Sequence, residues 1–510
     1  MDKAIPYTIA SARTGSPTLI IKKDGKDFPL HSTVDPRREA TAFTDRFNPE
    51  KYDTLIVLGL GLGYHLFPLK SIIERYKSVF LIDLLENLGD AIIKTENSFL
   101  VKNSLVRIIS GKSPESVAET LTADIDLSAT KGISVLEHPA SMRLFPEYYH
   151  EIKKQIESLI DKKAGNEATK KAFGLKYAKN ILRNTSYLPQ TRPVSELFGR
   201  FTAHPVLVIT SGPSVDSIWE KIRGADRKVF IIAVDSALAA LYARNIIPDF
   251  MVCIDPQPYI YEHLQGIDPA KSIPVLSVSA SPLAFAWAGP RLRQGGDVFF
   301  ALNTHPLSQV IESLFGVAAS IESGTGNVAG DAVNLALAMG FEKIFLAGFD
   351  FSFPRFSIYA RGTAYQRRYS LYFQDRFTTV EGKNTEYIFN SSKKYRFEDK
   401  YTRRVFIQYR ESLERLIAPF TRTVSSLTSS GLTVSGVSAA DGDILKQFPE
   451  LDKSAIIADI IGKNRGNIAF KPDQLKAALN DGAVFTGIAE ASLSQGHQHQ
   501  KLKKLIQALL

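Results

Sequence analysis

Four residues, Ser211-Gly212-Pro213-Ser214, stand where an apolar run, VLVIT (206–210), meets an amphipathic segment. Each type has a use in that place. Gly212 opens backbone conformations closed to other residues. Pro213 suits a first helical turn, where its missing N–H costs nothing. Ser214 can cap the free N–H groups of a helix start, and such a start attracts a phosphate. The next two apolar runs, VFIIAVD (229–235) and FMVCID (250–255), lead into Asp235-Ser236 and Asp255-Pro256. As neighbouring parallel strands, all three runs would end on the carboxyl edge of one sheet, where doubly wound folds bind ligands. A phosphate-type turn beside two carboxylates suits a ribonucleotide, with the acids on sugar hydroxyls or base amines.

Two more glycine loops carry possible chemistry. In SGTGNVAGDAVNLALAMGFEKIFLAGFDFSF (323–353), the small residues Gly324, Thr325, Gly326 and Asn327 open a helix and could admit a base or sugar against the backbone. The run that follows ends in GFDF, which holds Asp350. Near the N-terminus, DTLIVLGLGLGYHL (53–66) places Gly59, Gly61 and Gly63 after an apolar run, and Asp83 ends the next run. A carboxylate there can hold ribose hydroxyls above a glycine turn. The G-x-G-x-G spacing is closer to methyltransferases that bind S-adenosylmethionine than to dehydrogenases. It equally describes a tight strand–helix turn that binds nothing.

The elements that would position these residues follow from periodicity. Runs LIVLG (55–59), VFLID (79–83), LVRII (105–109) and ISVLE (133–137) alternate with amphipathic stretches, a pattern of parallel strands crossed by helices. A second series adds 206–210, 229–235, 250–255, PVLSVS (274–279), VFFAL (298–302) and KIFLAGFD (343–350). Between them, Tyr149, Ile152, Ile156, Leu159 and Ile160 fall on one helical face, and Phe173, Tyr177, Ile181 and Leu182 on another. The fold class expected is α/β, with two tandem Rossmann-like parallel-sheet domains. Residues 1–50 form a small β unit with a turn at Lys23–Lys26, 51–145 the first sheet domain, and 146–200 a helical connector. Residues 201–440 form the second, catalytic sheet domain, and 441–510 a helical tail that includes no nameable chemistry. A helix is also expected at Phe406–Leu416.

Composition narrows the classes. No apolar run is long enough to span a membrane, and the first residues lack the apolar core of a secretory signal, so a cytoplasmic address is expected. The single cysteine, Cys253, excludes an internal disulfide and a thiolate zinc cage. The D-x-D strings, Asp124-Ile125-Asp126 and Asp441-Gly442-Asp443, follow no strand-like run, so no metal-ligand set is expected; a divalent ion is left open. The formal charge is +9, and residues 355–410 alone hold thirteen Lys/Arg against five Asp/Glu, with eight of the nineteen tyrosines. An excess so local points to an anionic ligand or an acidic protein partner; no nucleic-acid partner is expected. With few apolar residues, this stretch is expected to order as a lid over substrate.

Taken in order, GPS, AVDSA, IPDFMVCIDPQP, the GTGNVAGD to GFDF segment and the tyrosine-basic tail resemble the motility-associated factor (Maf) flagellin glycosyltransferases. LHSTVDPRREA (30–40), IVLGLGLGYHL (56–66) and Tyr177, Asn180 and Asn184 resemble their N-terminal and connector regions, so the likeness covers roughly residues 15–440. The central motifs also resemble bacterial CMP-sialic-acid sialyltransferases and, more distantly, 6-hydroxymethylpterin pyrophosphokinases of the MptE type.

That resemblance implies transfer of a nonulosonic acid, pseudaminic or legionaminic, from a CMP-activated donor to Ser/Thr of flagellin, in support of flagellar assembly and motility. By position, Ser211, Gly212, Pro213 and Ser214 would hold the phosphate, Asp235, Ser236, Asp255 and Pro256 the nucleoside, and Gly324–Asn327 the cytosine pocket. Asp350 would lead into the catalytic loop, where Tyr359 or Tyr365 would stand for the second of the family's two tyrosines on the departing phosphate. Apart from the resemblance, Arg361, close to GFDF, could pair with the donor's carboxylate or phosphate. Two departures stand out: Ser352 replaces a tyrosine directly after the GxDF motif, and residues 351–496 contain no histidine. The proton acceptor is therefore open among Asp350, Asp235 and Asp255. Two other readings are a 6-hydroxymethylpterin pyrophosphokinase, which needs ATP and Mg²⁺, and a non-catalytic flagellin-binding protein.

Overall fold

The computed structural model describes residues 5–44, 52–125, 130–372, 378–389, 394–420, 424–462 and 472–481, with Thr486 and Ile488. The chain folds as two compact units, Met1–Thr169 and Lys170–Leu510.

In the first unit, β1 (Tyr7–Ser11), β2 (Pro17–Lys23) and β3 (Lys26–Pro29) form an antiparallel sheet. The β2–β3 turn lies at Lys23–Lys26, with Asp24 and Gly25 both left-handed as a two-residue hairpin requires. Strands β4 (Thr54–Leu58), β5 (Ser78–Asp83), β6 (Val106–Ser110) and β7 (Ile133–Glu137) make a parallel sheet in the order β6-β5-β4-β7. β4 is buried at every residue, which is why its sequence is a continuous apolar run rather than an alternating one. Leu19, Ile21 and Leu30 of the hairpin region share its core.

A single helix, Pro146–Asn184, occupies most of the expected connector. Tyr149, Ile152, Ile156 and Leu159 are buried, but Ile160 is 39% exposed, so the apolar stripe is one residue narrower than its periodicity suggested. Asp126 lies outside the described residues.

The second unit is built on nine strands: β8 (Arg192–Pro193), β9 (Pro205–Ile209), β10 (Phe230–Val234), β11 (Phe250–Cys253), β12 (Ile273–Ser277), β13 (Phe299–Ala301), β14 (Lys343–Ala347), β17 (Val424–Ser426) and β18 (Ser438–Ala439). Their order is β18-β17-β14-β9-β10-β11-β12-β13-β8, and every pairing is parallel. The six strands expected from apolar runs are all present. β8, β17 and β18 were illegible because two or three residues such as Arg-Pro, Val-Ser-Ser or Ser-Ala form no apolar run. From β9 the chain proceeds outward through β10 to β13, then returns so that β14 lies on the other side of β9. The order therefore reverses between β9 and β14, and a crevice opens there above the carboxyl ends. Burial of Val206, Leu207, Val208 and Ile209, at about 1.5–3 kcal/mol each, holds β9 rigidly beneath that crevice.

The tyrosine-rich basic stretch is more structured than its composition suggested. It forms helices Ala364–Tyr372 and Val380–Phe389 and the hairpin β15 (Lys394–Phe397)–β16 (Lys400–Arg403), turned by left-handed Glu398 and Asp399. Phe353, Ile358 and Ile388 give it a small core, with Tyr365, Phe389, Tyr401 and Phe406 packed on it. Two isoleucines and the ring faces of its phenylalanines and tyrosines supply this core. The next helix is Arg404–Ile417. In the tail, helices Lys453–Gly462 and Pro472–Leu479 join the sheet's core through Ile460, Ile461, Leu475 and Leu479. The tail is not helical throughout: residues 441–452 hold only the 3-10 turn Gly442–Gln447, while 463–471 and most residues after Asp481 lie outside the described residues.

Candidate functional site

At the crevice, the turn after β9 meets the loop after β14. Pro213 opens a short 3-10 turn, Pro213–Ser217, rather than a long α-helix. Gly212 has φ −65°, so no left-handed backbone requires glycine here, contrary to the expectation from sequence. The requirement is steric: a Cβ on Gly212 would strike the Gly348 carbonyl oxygen and come within 2.5 Å of Asp350 Oδ2. Ser214 does not cap through its hydroxyl; its backbone N–H donates to Asp350 Oδ2 at 2.9 Å. A carboxylate thus occupies the amide expected to face phosphate. Asp350 is 4% exposed, and burial pushes its pKa up to about 6 against the pull of the Ser214 hydroxyl and amide.

The backbone after Asp350 is strained. Phe351, Arg355 and Phe356 all have positive φ, each costing on the order of 1–3 kcal/mol and persisting only where surroundings over-determine it. The Phe353 N–H donates to the Tyr401 carbonyl at 2.9 Å, and Thr402 Oγ1 to the Phe351 carbonyl at 2.5 Å. Further on, the Ala360 N–H donates to the Ser211 carbonyl at 2.8 Å and the Arg361 N–H to Asp216 at 3.1 Å. The catalytic-loop segment predicted from sequence is thereby tied to the turn at 211–216. Between them lies a cavity of about 260 Å³ whose lining includes Ser214, Asp216, Arg355, Tyr359, Arg361 and Tyr365. Tyr359 keeps 40% of its surface exposed, yet partial desolvation, then Tyr387 and Asp235, raises its pKa, and burial with Tyr369 raises that of Tyr365.

The strand-end acids lie on the same edge, because β9, β10 and β11 are adjacent and parallel. Ser236 Oγ donates to Ser211 Oγ at 2.9 Å, joining the first two strand ends. Asp235 is 4% exposed, and its Oδ2 lies 3.0 Å from Nδ1 of His263, a residue the sequence reading did not single out. Asp255 accepts from the Gln257 N–H at 2.8 Å and from the Tyr259 hydroxyl at 3.2 Å. Burial raises the Asp255 pKa, and the nearby Asp235 charge adds to it. His263 and Tyr259 belong to IDPQPYIYEHL (254–264), where a helical i, i+4 spacing from Tyr259 to His263 was the available signal. Pro256 offers its carbonyl to Asn180 Nδ2 at 2.9 Å, and that amide also reaches the Ser279 carbonyl. Asn184 likewise donates to the Val278 and Ala280 carbonyls, both at 2.9 Å. These two asparagines fix the loops after β11 and β12.

The Gly324–Asn327 loop opens the helix Val328–Ala338, whose N-terminus faces the carboxyl edge as a crossover helix must. Gly324 and Gly326 are left-handed, Asn327 caps through Oδ1 to the Gly330 N–H at 3.0 Å, and Thr325 is buried against Gly330. Asp331 accepts from the Ser323 N–H and hydroxyl, and burial lifts it to about 6. Tyr177 is raised to about 12 by burial and then by the charges of Asp255, Glu322 and Asp331.

In the first unit, the other glycine loop is closed by the protein itself. Asp83 Oδ2 accepts from the Leu60 and Gly61 N–H groups at 2.7 and 3.0 Å, and Oδ1 from Leu85 at 3.0 Å. Gly59, Gly61 and Gly63 are packed against Ser141, His31 and Leu100. Both carboxylate oxygens are engaged and Asp83 is 1% exposed, so the alternative of a tight turn is the one this geometry favours. Beside it lie buried His31, His65 and His138. His31 Nε2 accepts from Leu62, while His65, 2% exposed, hydrogen-bonds through neither nitrogen. Among the described residues, no group of three His, Cys, Asp or Glu is placed to hold a metal ion, and no helix is long and apolar enough to cross a membrane.

Residues 179–356, which hold most of this site, match the family described as 6-hydroxymethylpterin diphosphokinase MptE-like. Two uncharacterized proteins of Treponema pallidum (strain Nichols) are 28% identical over 223 residues and 32% identical over 185. Those alignments take in 43% and 36% of this chain, and the chain spans 38% of the length of each relative. A solved structure of a Maf glycosyltransferase from Magnetospirillum magneticum AMB-1 superposes with a TM-score of 0.62 at 13% identity. The match covers 100% of this chain and 90% of that one, and it shows a shared fold.

Proposed function

We propose, from the premise that residues 179–356 are an MptE-like domain on the fold of a Maf glycosyltransferase, that this protein is itself a glycosyltransferase. Its donor is a CMP-activated nonulosonic acid of the pseudaminic or legionaminic type, and its acceptors are serine and threonine hydroxyls of flagellin in the cytoplasm, in support of motility. The observation that carries the reading is convergence: the 211–214 turn, Asp235 and Asp255 share one sheet edge, beside a cavity lined by Arg355, Arg361 and two protonated tyrosines. The choice of CMP and flagellin rests on the family resemblance.

The residues divide the work by charge. Asp255 repels a phosphate and suits ribose hydroxyls or the cytosine amine, beside Asp235, whose Oδ2 is engaged by His263. Arg355, Arg361, Ser214, Tyr359 and Tyr365 line the cavity, and their side-chain types suit the phosphate and the sugar carboxylate. As the glycosidic bond breaks, negative charge gathers on the leaving phosphate. Tyrosines whose pKa is raised keep their protons at neutral pH and donate to that charge. One preorganised donor of this kind is worth about 3–4 kcal/mol.

A thermal melt tests the nucleotide: CMP or CTP raises the melting temperature, S-adenosylmethionine does not, and Asp255→Ala removes the CMP effect. The intact mass of flagellin co-expressed with the protein tests the reaction. An unmodified flagellin, in a host that makes the CMP-sugar, rejects it. The family description favours one second reading, pyrophosphoryl transfer to 6-hydroxymethyl-dihydropterin, and ATP- and Mg²⁺-dependent formation of its diphosphate decides for that alternative.

A further inference from the structure

Glycosyl transfer to a hydroxyl needs a proton acceptor, and the acids considered from sequence are poorly placed for it. Asp350 is held by Ser214, and Asp255 already accepts from Gln257 and Tyr259. The helix Ile260–Leu264 follows directly from the Asp255 loop and brings His263 to the same edge. Its Nδ1 lies 3.0 Å from Asp235 Oδ2, and its side chain keeps 20% of its surface exposed, against 5% for Asp235. A neutral imidazole that donates through Nδ1 carries its lone pair on Nε2.

We propose that His263 accepts the proton of the acceptor hydroxyl at Nε2, with Asp235 as the positioning residue that sets its tautomer and steadies the imidazolium. This rests on the glycosyl-transfer reading. In the step, the acceptor O–H proton passes to Nε2 while the oxygen forms a bond to the anomeric carbon. The bond from that carbon to the phosphate oxygen breaks, and its electron pair leaves with CMP. The imidazolium then returns its proton to solvent. A carboxylate on the far nitrogen serves such a base without itself taking the proton.

The surroundings are those of a held but reachable base. Tyr259 packs edge-on to the ring, with centroids 6.3 Å apart, and fastens Asp255 beside it. The helix Ala364–Tyr372 closes the other side: Arg367 Nη2 donates to the Glu262 carbonyl at 3.2 Å, and Arg368 pairs with Glu262 at 3.6 Å. Tyr359, which lines the cavity, feels the charges of both Asp235 and Asp255 and so links the two halves of the site. Burial pulls the His263 pKa down, but the Asp235 hydrogen bond and the charges of Asp235, Asp255 and Glu262 outweigh it and raise the value above the ordinary one. A base near the working pH is the efficient choice.

The full-length protein is assayed for transfer from CMP-pseudaminic and CMP-legionaminic acid to flagellin, beside His263→Gln and Asp235→Asn. The expected result is a kcat lower by roughly 10²–10⁴-fold in His263→Gln. CMP affinity stays at the wild-type level, the melt is unchanged, and the ascending limb of the pH–rate profile disappears. In ¹⁵N spectra the wild-type His263 is the Nδ1–H tautomer, and Asp235→Asn lowers its pKa. Three results overturn the proposal: a His263→Gln variant that transfers at the wild-type rate, one that loses CMP binding along with rate, or a wild-type Nε2–H tautomer. No transfer by the wild type from either donor removes the glycosyl-transfer reading itself, whatever the spectra show.

Discussion

The backbone amide of Ser214 donates to the carboxylate of Asp350 across the junction of β9 and β14. The two residues come from strands that are neighbours in the sheet and 136 positions apart in the chain. A negative group therefore sits at the switch point before any nucleotide arrives, and an incoming phosphate must share or displace it.

The protonation of Asp350 gives the first prediction. Its pKa is raised to about 6 in the folded protein, from 3.8. The folded state then holds the proton more tightly than the unfolded one, so the favourable contribution is complete below pH 3.8 and is lost as pH rises through 6. Asp350→Asn removes that penalty, by up to about 3 kcal/mol. The melting temperature of the variant exceeds wild type more at pH 8 than at pH 5. An equal difference at both pH values refutes it.

Gly212→Ala keeps an allowed φ but places its methyl against the Gly348 carbonyl and Asp350 Oδ2. We expect a loss of about 1–3 kcal/mol in denaturant unfolding. Gly224→Ala, whose Cβ position is empty, meets no such atom and serves as the comparison for side-chain crowding, although its φ of +82° adds backbone strain of its own. Wild-type stability of Gly212→Ala means the turn and the β14 loop are not in contact.

Tyr359→Phe removes one donor from the cavity while leaving the ring that packs 5.0 Å from Tyr365. The expected cost is about 10²-fold in kcat with little change in KM, since the donor acts on charge that develops during the reaction. A change confined to KM assigns Tyr359 to ground-state binding.

His31, His65 and His138 make the first unit acid-sensitive. Burial lowers all three, His138 from 6.5 to about 4, so the unfolded chain takes up protons that the folded one refuses. Their contribution to stability is intact above pH 6.5 and falls as pH drops from 6.5 toward 4. Amide exchange of β4 and β7 at pH 7.0 and pH 5.0 measures it: faster exchange at pH 5.0, after correction for intrinsic rates, is the expected outcome. Equal protection at both values refutes it.

Much of this was visible in the residues themselves. Apolar runs located six strands of the second unit because each is buried on both faces, and the strand-end aspartates followed from them. What stayed hidden depends on distant partners. Nothing near Asp350 in sequence indicates that it takes the amide of Ser214, and nothing near Asp235 points to His263. Gly212 was read as a conformational glycine when it is a contact glycine, since only the neighbouring strand shows what crowds it. The Gly59–Gly63 loop illustrates the same limit. Its spacing fits a ligand turn, and only the folded chain reveals that Asp83 has closed it.

The hairpin β15–β16 lies outside the parallel sheet, yet its Tyr401 and Thr402 hold the left-handed segment at 351–356 in shape. The geometry around Arg355 is thus maintained from elsewhere in the chain. A proteolytic nick or an insertion at the hairpin tip, Glu398–Asp399, would leave nine strands and their core in place and still allow that segment to relax into ordinary backbone angles. Changing a hairpin outside the sheet thus reshapes the 351–356 segment without altering any residue of that segment.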